Sequence, residues 1–442
     1  NAPCREKVYT ICGPEFGREL EGRVAVIVQA AYGLKSSAFA WREHLSSILH
    51  DSLGFTPCRA DPDVWLCPAV KSDGMKYYEM VMVYTDDILS ISERPLEILV
   101  SIDHHFLIKP DSIGKPEIYL GAQIGEFYLS TDINKKLYTM SSERYVKEAL
   151  RNVKRWLESK GKMLKGKAPS VFPSNYRPEM DLSVPCNDDF ASYYQQQIGV
   201  LRWVVELGRI DICGEVSMLA AYTNSPRIGH FDAMLHVYSY LNAHDRSRLV
   251  FDDSKVEVGE EQECDWTAFY PDAKEEVPPD MLEPRGNSVE ITCFVDADHA
   301  SDASTRRSRT GVLIYLNRSP IIWYSKKQNG VETSTFGSEF VALKTATEMI
   351  QGLRYKLRML GVPIEGHAHV RMDNMSVICN TTKPESTLKK KSHSIAYHFV
   401  CEQVAAKVIQ IAYEPSGTNL ADILTKCHAG PERKRLAAMI LY

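Results

Sequence analysis

The chain has 442 residues, 44% of them hydrophobic and 25% charged, enough for about two to four ordinary domains with sizeable cores. It has no run of about 18 apolar residues and no charged-then-apolar leader, which argues against a membrane-spanning helix and a signal peptide. The net charge of -5 is uneven: Asp252 to Arg285 carries twelve acidic residues against three basic ones, so the remainder is net basic and compatible with a polyanionic partner. Eleven cysteines are scattered from Cys4 to Cys427 without C-x-x-C spacing. That pattern argues against a disulfide framework or a zinc ribbon and points to reduced thiols inside a cell. The first residue is Asn1 rather than Met, so the chain is expected to be a fragment, a processed product or a piece of a polyprotein.

In chain order, Val24–Ile27 reads as a strand. Ala38–Leu53 has helical spacing, with Trp41, Leu45, Ile48 and Leu49 on one face. Tyr77–Val83 and Ile88–Ile91 read as strands joined by a tight turn, and Ile118–Ile124 as another strand. After residue 136 helices dominate: Ser142–Leu157, then a Lys-rich loop, then Phe190–Tyr222 and His230–Asn242. The acidic, Pro-rich stretch 252–287 reads as an inter-domain linker. Beyond it come strands at Val289–Asp296, Gly311–Leu316 and Pro320–Ser325, a long helix over Thr335–Leu360, and strands at His369–Met372 and Val408–Tyr413. That order predicts a mixed α/β sheet of five strands with helices.

Two sets of carboxylates stand out. Asp86 and Asp87 sit at the tip of the Tyr84-Thr85-Asp86-Asp87 turn, where adjacent negative charges are tolerated if solvent or a divalent cation neutralises them. Asp296 ends a strand, Glu339 lies in the first turns of the long helix, Asp373 ends another strand, and Asp422 follows the last. Taken singly, each of these four reads as a solvated strand or helix end. Together, on this order of elements, they read as a hard-oxygen site for two Mg²⁺ ions, suited to phosphodiester cleavage.

The pieces VDADHASD, RRSRTGVLIYLN, IIWYSKKQ, STFGSEFVAL, MDN, YHF and NLADILTK resemble, in order, the ribonuclease H of copia-type retrotransposons. The resemblance implies metal-binding roles for Asp296, Glu339, Asp373 and Asp422, and favours Asp296 over its neighbours Asp298 and Asp302. Many ribonucleases H use a mobile histidine near the last Asp; His393 and His398 are the candidates, but each reads more readily as a core or surface residue. Upstream, AAYGLKSSAFAW, GFTPCRADPDVW, VYTDDILSIS, YLGAQI, IGVLRWVVELGRIDI and HVYSYL resemble the copia-type reverse transcriptase, whose turn is usually Tyr-Val-Asp-Asp. This implies that Asp86 and Asp87 help hold two Mg²⁺ ions (Mn²⁺ being the alternative), and that Gly33, Lys35 and Tyr84 lie at the substrate, with Lys35 reading equally as a residue that faces water. Trp41 reads as core, and Asp61 and Asp63 as turn formers. The third polymerase carboxylate of the family would precede Asn1, which implies impaired DNA synthesis beside intact ribonuclease H activity.

The implied organisation is a partial polymerase palm at 1–135, a helical thumb and connection at 136–251, the linker at 252–287, a ribonuclease H domain at 288–430 and a tail at 431–442. The implied partners are an RNA–DNA hybrid, a template–primer, deoxynucleotides and the remainder of a Pol polyprotein, in a cytoplasmic virus-like particle and with no membrane. The alternative is a decayed, non-catalytic retroelement product that binds nucleic acid through its basic body, with Arg306, Arg307, Arg309 and Lys389 to Lys391 as phosphate contacts. A different two-metal nuclease of integrase type is a more distant reading.

Overall fold

The computed structural model describes residues 3–29, 33–85, 87–106, 108–109, 111–129, 132–173, 175–257, 259, 265–386, 388 and 393–442. They divide into two compact units. One comprises Asn1–Pro116, Pro278–Asn287 and Lys356–Pro363; the other comprises Glu117–Val277, Ser288–Tyr355 and Ile364–Tyr442.

In the first unit, β1 (Pro3–Ile11) pairs antiparallel with β2 (Val24–Gln29). Helix α1 (Ser37–Ser47) runs into a π-helical turn at Ile48–Ser52. An antiparallel meander follows, β3 (Thr56–Pro57), β4 (Val64–Val70), β5 (Lys76–Tyr84) and β6 (Asp87–Ile91), and then α2 (Pro95–Asp103). The period-2 alternation of strands sends neighbouring side chains to opposite faces. Accordingly Trp65 and Val81 pack with Leu45, Leu49 and Ile102 on one side. Leu66 and Tyr78 pack on the other side, against Leu282, Met359 and Leu360.

The second unit opens with β7 (Ile118–Tyr119), β8 (Ala122–Leu129) and β9 (Asp132–Ser141). The expected single strand Ile118–Ile124 is a hairpin instead. Leu120 and Gly121 take φ of 50° and 86°, and Tyr119 pairs with Ala122 across them. A two-residue turn with both φ positive suits the twist of a hairpin, and glycine adopts it without strain. Next come α3 (Glu143–Ser159), α4 (Asp188–Glu206), α5 (Cys213–Ala220) and α6 (Ile228–Ala243), then β10 (Arg248–Phe251), which pairs with β9. The stretch expected as one helix over 190–222 is broken by a 3-10 turn at Ile210–Ile212, between α4 and α5.

A five-stranded sheet completes this unit: β11 (Ile291–Asp298), β12 (Arg309–Leu316), β13 (Ser319–Lys327), β14 (Ala368–Met372) and β15 (Ile409–Tyr413). Its order is β13-β12-β11-β14-β15, with β11, β12 and β13 antiparallel and β14 and β15 added parallel to β11. Helix α7 (Thr335–Met359) separates β13 from β14; α8 (Met375–Thr382) and α9 (Ser394–Ala405) separate β14 from β15; α10 (Gly430–Ile440) closes the chain. The mixed α/β arrangement expected for this region is therefore present. The central strand β11 is buried along nearly its whole length, as a strand covered on both faces should be.

Two expectations of domain organisation differ from the structure. First, α3 to α6 and the five-stranded sheet share one apolar core: Val153, Leu201, Leu219 and Phe231 belong to the same cluster as Phe294, Leu313, Leu420, Ala421 and Leu436. Gly214 on α5 lies at this contact, where a Cβ would sit 3.2 Å from the Leu424 carbonyl oxygen, and Gly311 lets residues 421–425 pack on β12, where a Cβ would sit 2.6 Å from Thr425 Cγ2. Second, the acidic stretch is not a loose linker among its described residues. Trp266 is buried and donates its indole N–H to the Thr381 carbonyl at 3.2 Å. Glu275 takes a bidentate bond from Arg354 at 2.7 and 2.9 Å. The Glu283 carbonyl accepts from the Tyr78 hydroxyl at 2.9 Å. Buried aromatic area and satisfied charge outweigh the composition that suggested disorder.

Candidate functional site

Strands β11 and β14 lie side by side and parallel, so their C-terminal ends point the same way. Asp296 sits near the end of β11 and Asp373 directly follows β14. Glu339 comes in from α7, and Asp422 lies on a 3-10 turn at Leu420–Leu424 after β15. Oxygens of Asp296, Glu339 and Asp373 all lie within 4.8 Å of one another. Asp296 and Glu339 are almost fully buried, and Glu339 Oε2 has no hydrogen-bond partner.

Burial, reinforced by the other carboxylates, pushes the Glu339 carboxyl up to about 9. Burial likewise lifts Asp296 to about 6, against the opposing pull of Lys426 and Thr425. Asp373 Oδ2 accepts from Ser416 at 2.7 Å, and Asp296 Oδ2 contacts the Thr425 hydroxyl. Three hard oxygen donors with one buried oxygen unsatisfied suit a divalent cation such as Mg²⁺.

Asp422 is held differently and is not part of that set of three. It ion-pairs with Lys426, and His428 Nε2 lies 3.3 Å from its Oδ2. Burial favours its neutral form, but the bonds from His428 and Lys426 outweigh burial and hold it below the usual carboxylate range. Lys426 Nζ also reaches Asp296 Oδ2 at 3.5 Å. Lys426, His428 and Ser416 were not singled out from the sequence. Only Lys426 gave a signal, its position four residues after Asp422, which puts two side chains on one helical face.

The two histidines suggested by the sequence make other contacts. His393 is buried with Nε2 3.0 Å from Glu332, and His398 Nδ1 bonds the Tyr270 hydroxyl at 2.7 Å. Asp302 pairs with Lys327 at 2.5 Å and accepts from Ser304 and from the Thr305 backbone. Asp298 lines a neighbouring cleft.

In the first unit, β5 and β6 form the expected hairpin, with Tyr84 paired to Asp87. Tyr84 and Asp87 are exposed, and Asp86 lies outside the described residues. Thr85 has φ 57°, and its carbonyl accepts from Trp41 Nε1 at 2.9 Å. Trp41 also packs edge-on against Phe106, with ring centroids 4.8 Å apart, in keeping with a core role. Gly33 has φ 99° and Lys35 is exposed; Tyr32 of the same motif lies outside the described residues. Asp61 Oδ1 accepts from the Asp63 backbone N–H at 3.1 Å, so the pair acts as a turn. Among the described residues, the three carboxylates of the second unit are the one group placed to hold a metal. Lys389, Lys390 and Lys391 lie outside the described residues, whereas Arg306 and Arg307 are exposed and Arg309 is buried.

No protein-family model matches the chain. The retrovirus-related Pol polyprotein from transposon RE2 of Arabidopsis thaliana is 23% identical over 425 residues, covering 95% of this chain and 25% of that protein. The corresponding polyprotein from transposon TNT 1-94 of Nicotiana tabacum is 23% identical over 421 residues, covering 93% of this chain and 28% of that protein. A transposon Ty5-1 protein of Saccharomyces cerevisiae is 25% identical over 353 residues, 79% of this chain and 97% of its own length. The chain is a relative of transposon Pol polyproteins. It spans about a quarter of the length of the Arabidopsis Pol proteins it matches. Among solved structures, a ribonuclease H1 isolated from compost aligns with 31% of this chain and 92% of its own chain, at 18% identity and a TM-score of 0.26. No described helix of the chain is long and apolar enough to cross a membrane.

Proposed function

We propose that the second unit is a ribonuclease H that hydrolyses the RNA strand of RNA–DNA hybrids. The observation that carries this reading is the meeting of Asp296, Glu339 and Asp373 from three separate elements, with the buried Glu339 Oε2 left unpartnered. In this reading Asp296, Glu339 and Asp373 hold one divalent ion and Asp422 helps hold a second. When bound, Mg²⁺ supplies Lewis-acid activation of water and charge stabilisation at the leaving oxygen. The chain's own groups prepare the site: Ser416 fixes one oxygen of Asp373, Thr425 fixes one of Asp296, and Lys426 neutralises charge between Asp296 and Asp422. Because Asp296 and Glu339 are shielded from water, a cation held between them would be screened little, and its charge would offset their repulsion of a phosphate.

We assign the β5–β6 hairpin to the palm of an RNA-directed DNA polymerase, with Asp86 and Asp87 as metal ligands and Gly33, Lys35 and Tyr84 beside the substrate. Template–primer, deoxynucleotides and the rest of a Pol polyprotein are the partners in this reading. The support is the kinship with transposon Pol polyproteins together with the exposed turn that presents Asp87.

The test of the nuclease is incubation of the full chain with Mg²⁺ and an end-labelled RNA–DNA hybrid. The wild type is expected to cut the RNA strand, and Asp373→Asn to lose at least about a hundredfold in rate, as expected when a group that stabilises developing charge is removed. Absence of cutting by the wild type, or equal cutting by Asp373→Asn, overturns the reading.

A further inference from the structure

A cleft of about 850 Å³ opens beside the carboxylates. Its walls come from two sources: residues 169–173, 175–179 and α5 on one side, and the β11–β12 connection, the end of β13 and residues 425–430 on the other. Thr425 and Lys426, which touch Asp296, line it as well.

Arg309, the first residue of β12, lines this cleft although it is only 7% exposed. Its Nη1 donates to Ser217 Oγ at 3.0 Å and to Ser325 Oγ at 3.1 Å. Both hydroxyls already give their protons to carbonyls, Ser217 to Ser325 at 2.7 Å and Ser325 to Leu424 at 2.6 Å, so they stand as neutral acceptors. Among the described residues no carboxylate lies within ion-pair distance of Arg309, and Glu215 and Asp298 act on it only through space.

Three other buried arginines of this unit are paired with carboxylates. Arg209 faces Asp211, Arg354 faces Glu275, and Arg433 faces Glu215. A guanidinium withdrawn from water without a counter-charge is costly, and burial duly weakens its hold on the proton. A cation of this kind in the wall of an open cleft is a site waiting for an anion. Arg307 and Lys326 are exposed and line the same cleft; Arg177 on the helical side is paired with Glu179 at 3.6 Å, and Asp298 and Asp302 line the cleft as well.

We propose that Arg309, supported by Arg307 and Lys326, binds a backbone phosphate of the nucleic-acid strand whose reacting phosphate lies at Asp296, Glu339 and Asp373. The inference rests on the nuclease reading and deepens it. The substrate groove is composite: Ser217 and Arg177, from outside the five-stranded sheet, shape the pocket that positions the strand. Arg309 is a positioning residue, remote from bond breaking.

The test is fluorescence anisotropy of a labelled RNA–DNA hybrid with the full chain in EDTA, over a range of salt concentrations. Arg309→Gln is expected to weaken binding at least about tenfold and to shrink the slope of log K against log salt by about 0.9, the value for one lost phosphate contact. Its melting temperature is expected not to fall, since the cation it removes has no counter-charge. Lys326→Gln, an exposed change, guards against misfolding: it is expected to weaken binding about threefold, with a smaller loss of slope. Unchanged affinity and slope in both variants overturn the proposal. It is also overturned if inorganic phosphate raises the melting temperature of the wild type while Arg309→Gln still binds hybrid normally, because the site then takes free anions and not a strand. The two readings fail separately. A wild type that cuts nothing but binds more tightly than Arg309→Gln defeats only the nuclease; a cutting wild type with normal binding by both variants defeats only the phosphate site.

Discussion

The Lys426 ammonium lies 3.5 Å from Asp296 Oδ2 while it ion-pairs with Asp422, one helical turn earlier in the chain. One cation thus stands between two carboxylates that would otherwise repel each other. Burial works against the charged lysine, yet Asp296 and Asp422 together raise its proton affinity above the ordinary range. Lys426→Met is therefore expected to destabilise the metal-free chain by about 1 kcal/mol, a modest value because the lysine head is partly exposed. That corresponds to a fall in melting temperature of about 2–4 °C in EDTA. Added Mg²⁺ should restore most of it by supplying positive charge to the same carboxylates. Calorimetry with and without Mg²⁺ checks this, and an equal deficit under both conditions contradicts it.

Arg433 on α10 meets Glu215 on α5 and the Asp211 carbonyl, all in the buried interior. Removing one partner strands a charge out of water. Arg433→Met is expected to cost about 3–5 kcal/mol in urea unfolding of the full chain. The double variant Arg433→Met, Glu215→Gln should recover a large part of that, because no uncompensated charge is left. A double variant no better than the single one contradicts this account.

Thr85 holds φ at 57° in the hairpin tip, a conformation that costs a β-branched residue about 1–2 kcal/mol. Thr85→Gly is expected to raise stability by up to about 1 kcal/mol, the relief of strain being offset in part by the greater freedom of glycine when unfolded. The Trp41 bond goes to the Thr85 carbonyl, so it survives the change. Urea unfolding followed by tryptophan fluorescence reports the shift, and a loss of stability contradicts it.

Asp302 supplies the pH test. Burial favours its neutral form, but bonds from Lys327, Ser304 and Thr305 outweigh burial and hold its carboxyl well below the ordinary range. Its folded value lies under its unfolded value of about 3.9, so its contribution is complete above about pH 4. The contribution fades as pH falls further toward the folded value. Asp302→Asn is therefore expected to lower the melting temperature at pH 7 and to lose less stability than the wild type between about pH 4 and 2. Parallel melting curves for the two proteins across that range contradict the assignment.

Much of the five-stranded sheet could be read from the chain, because its strands carry apolar runs and its long helix repeats Phe340, Leu343, Ile350 and Leu357 on one buried stripe. Asp296, Glu339 and Asp373 could be found because each ends or begins an element, and topology then brings those ends together. The charge pattern around Asp422 was less visible. Lys426 and His428 act through side-chain reach and burial, which spacing alone does not encode. The acidic stretch misled for a related reason: composition suggested solvent, while Trp266 and Glu275 find partners more than a hundred and nearly eighty residues away, respectively. The short strands β3, β7 and β10 are set by pairing with neighbours and carry too few residues to show a period.

The single core beneath α3 to α6 and the sheet bears on how such a gene can be cut and rejoined. A recombination event that carried off the sheet alone, from Ser288 onward, would bring Leu420, Ala421 and Leu436 without the helices that cover them. The product would display a greasy face and invite aggregation. On this packing, an exchange that keeps both parts folded carries the helical segment together with the sheet.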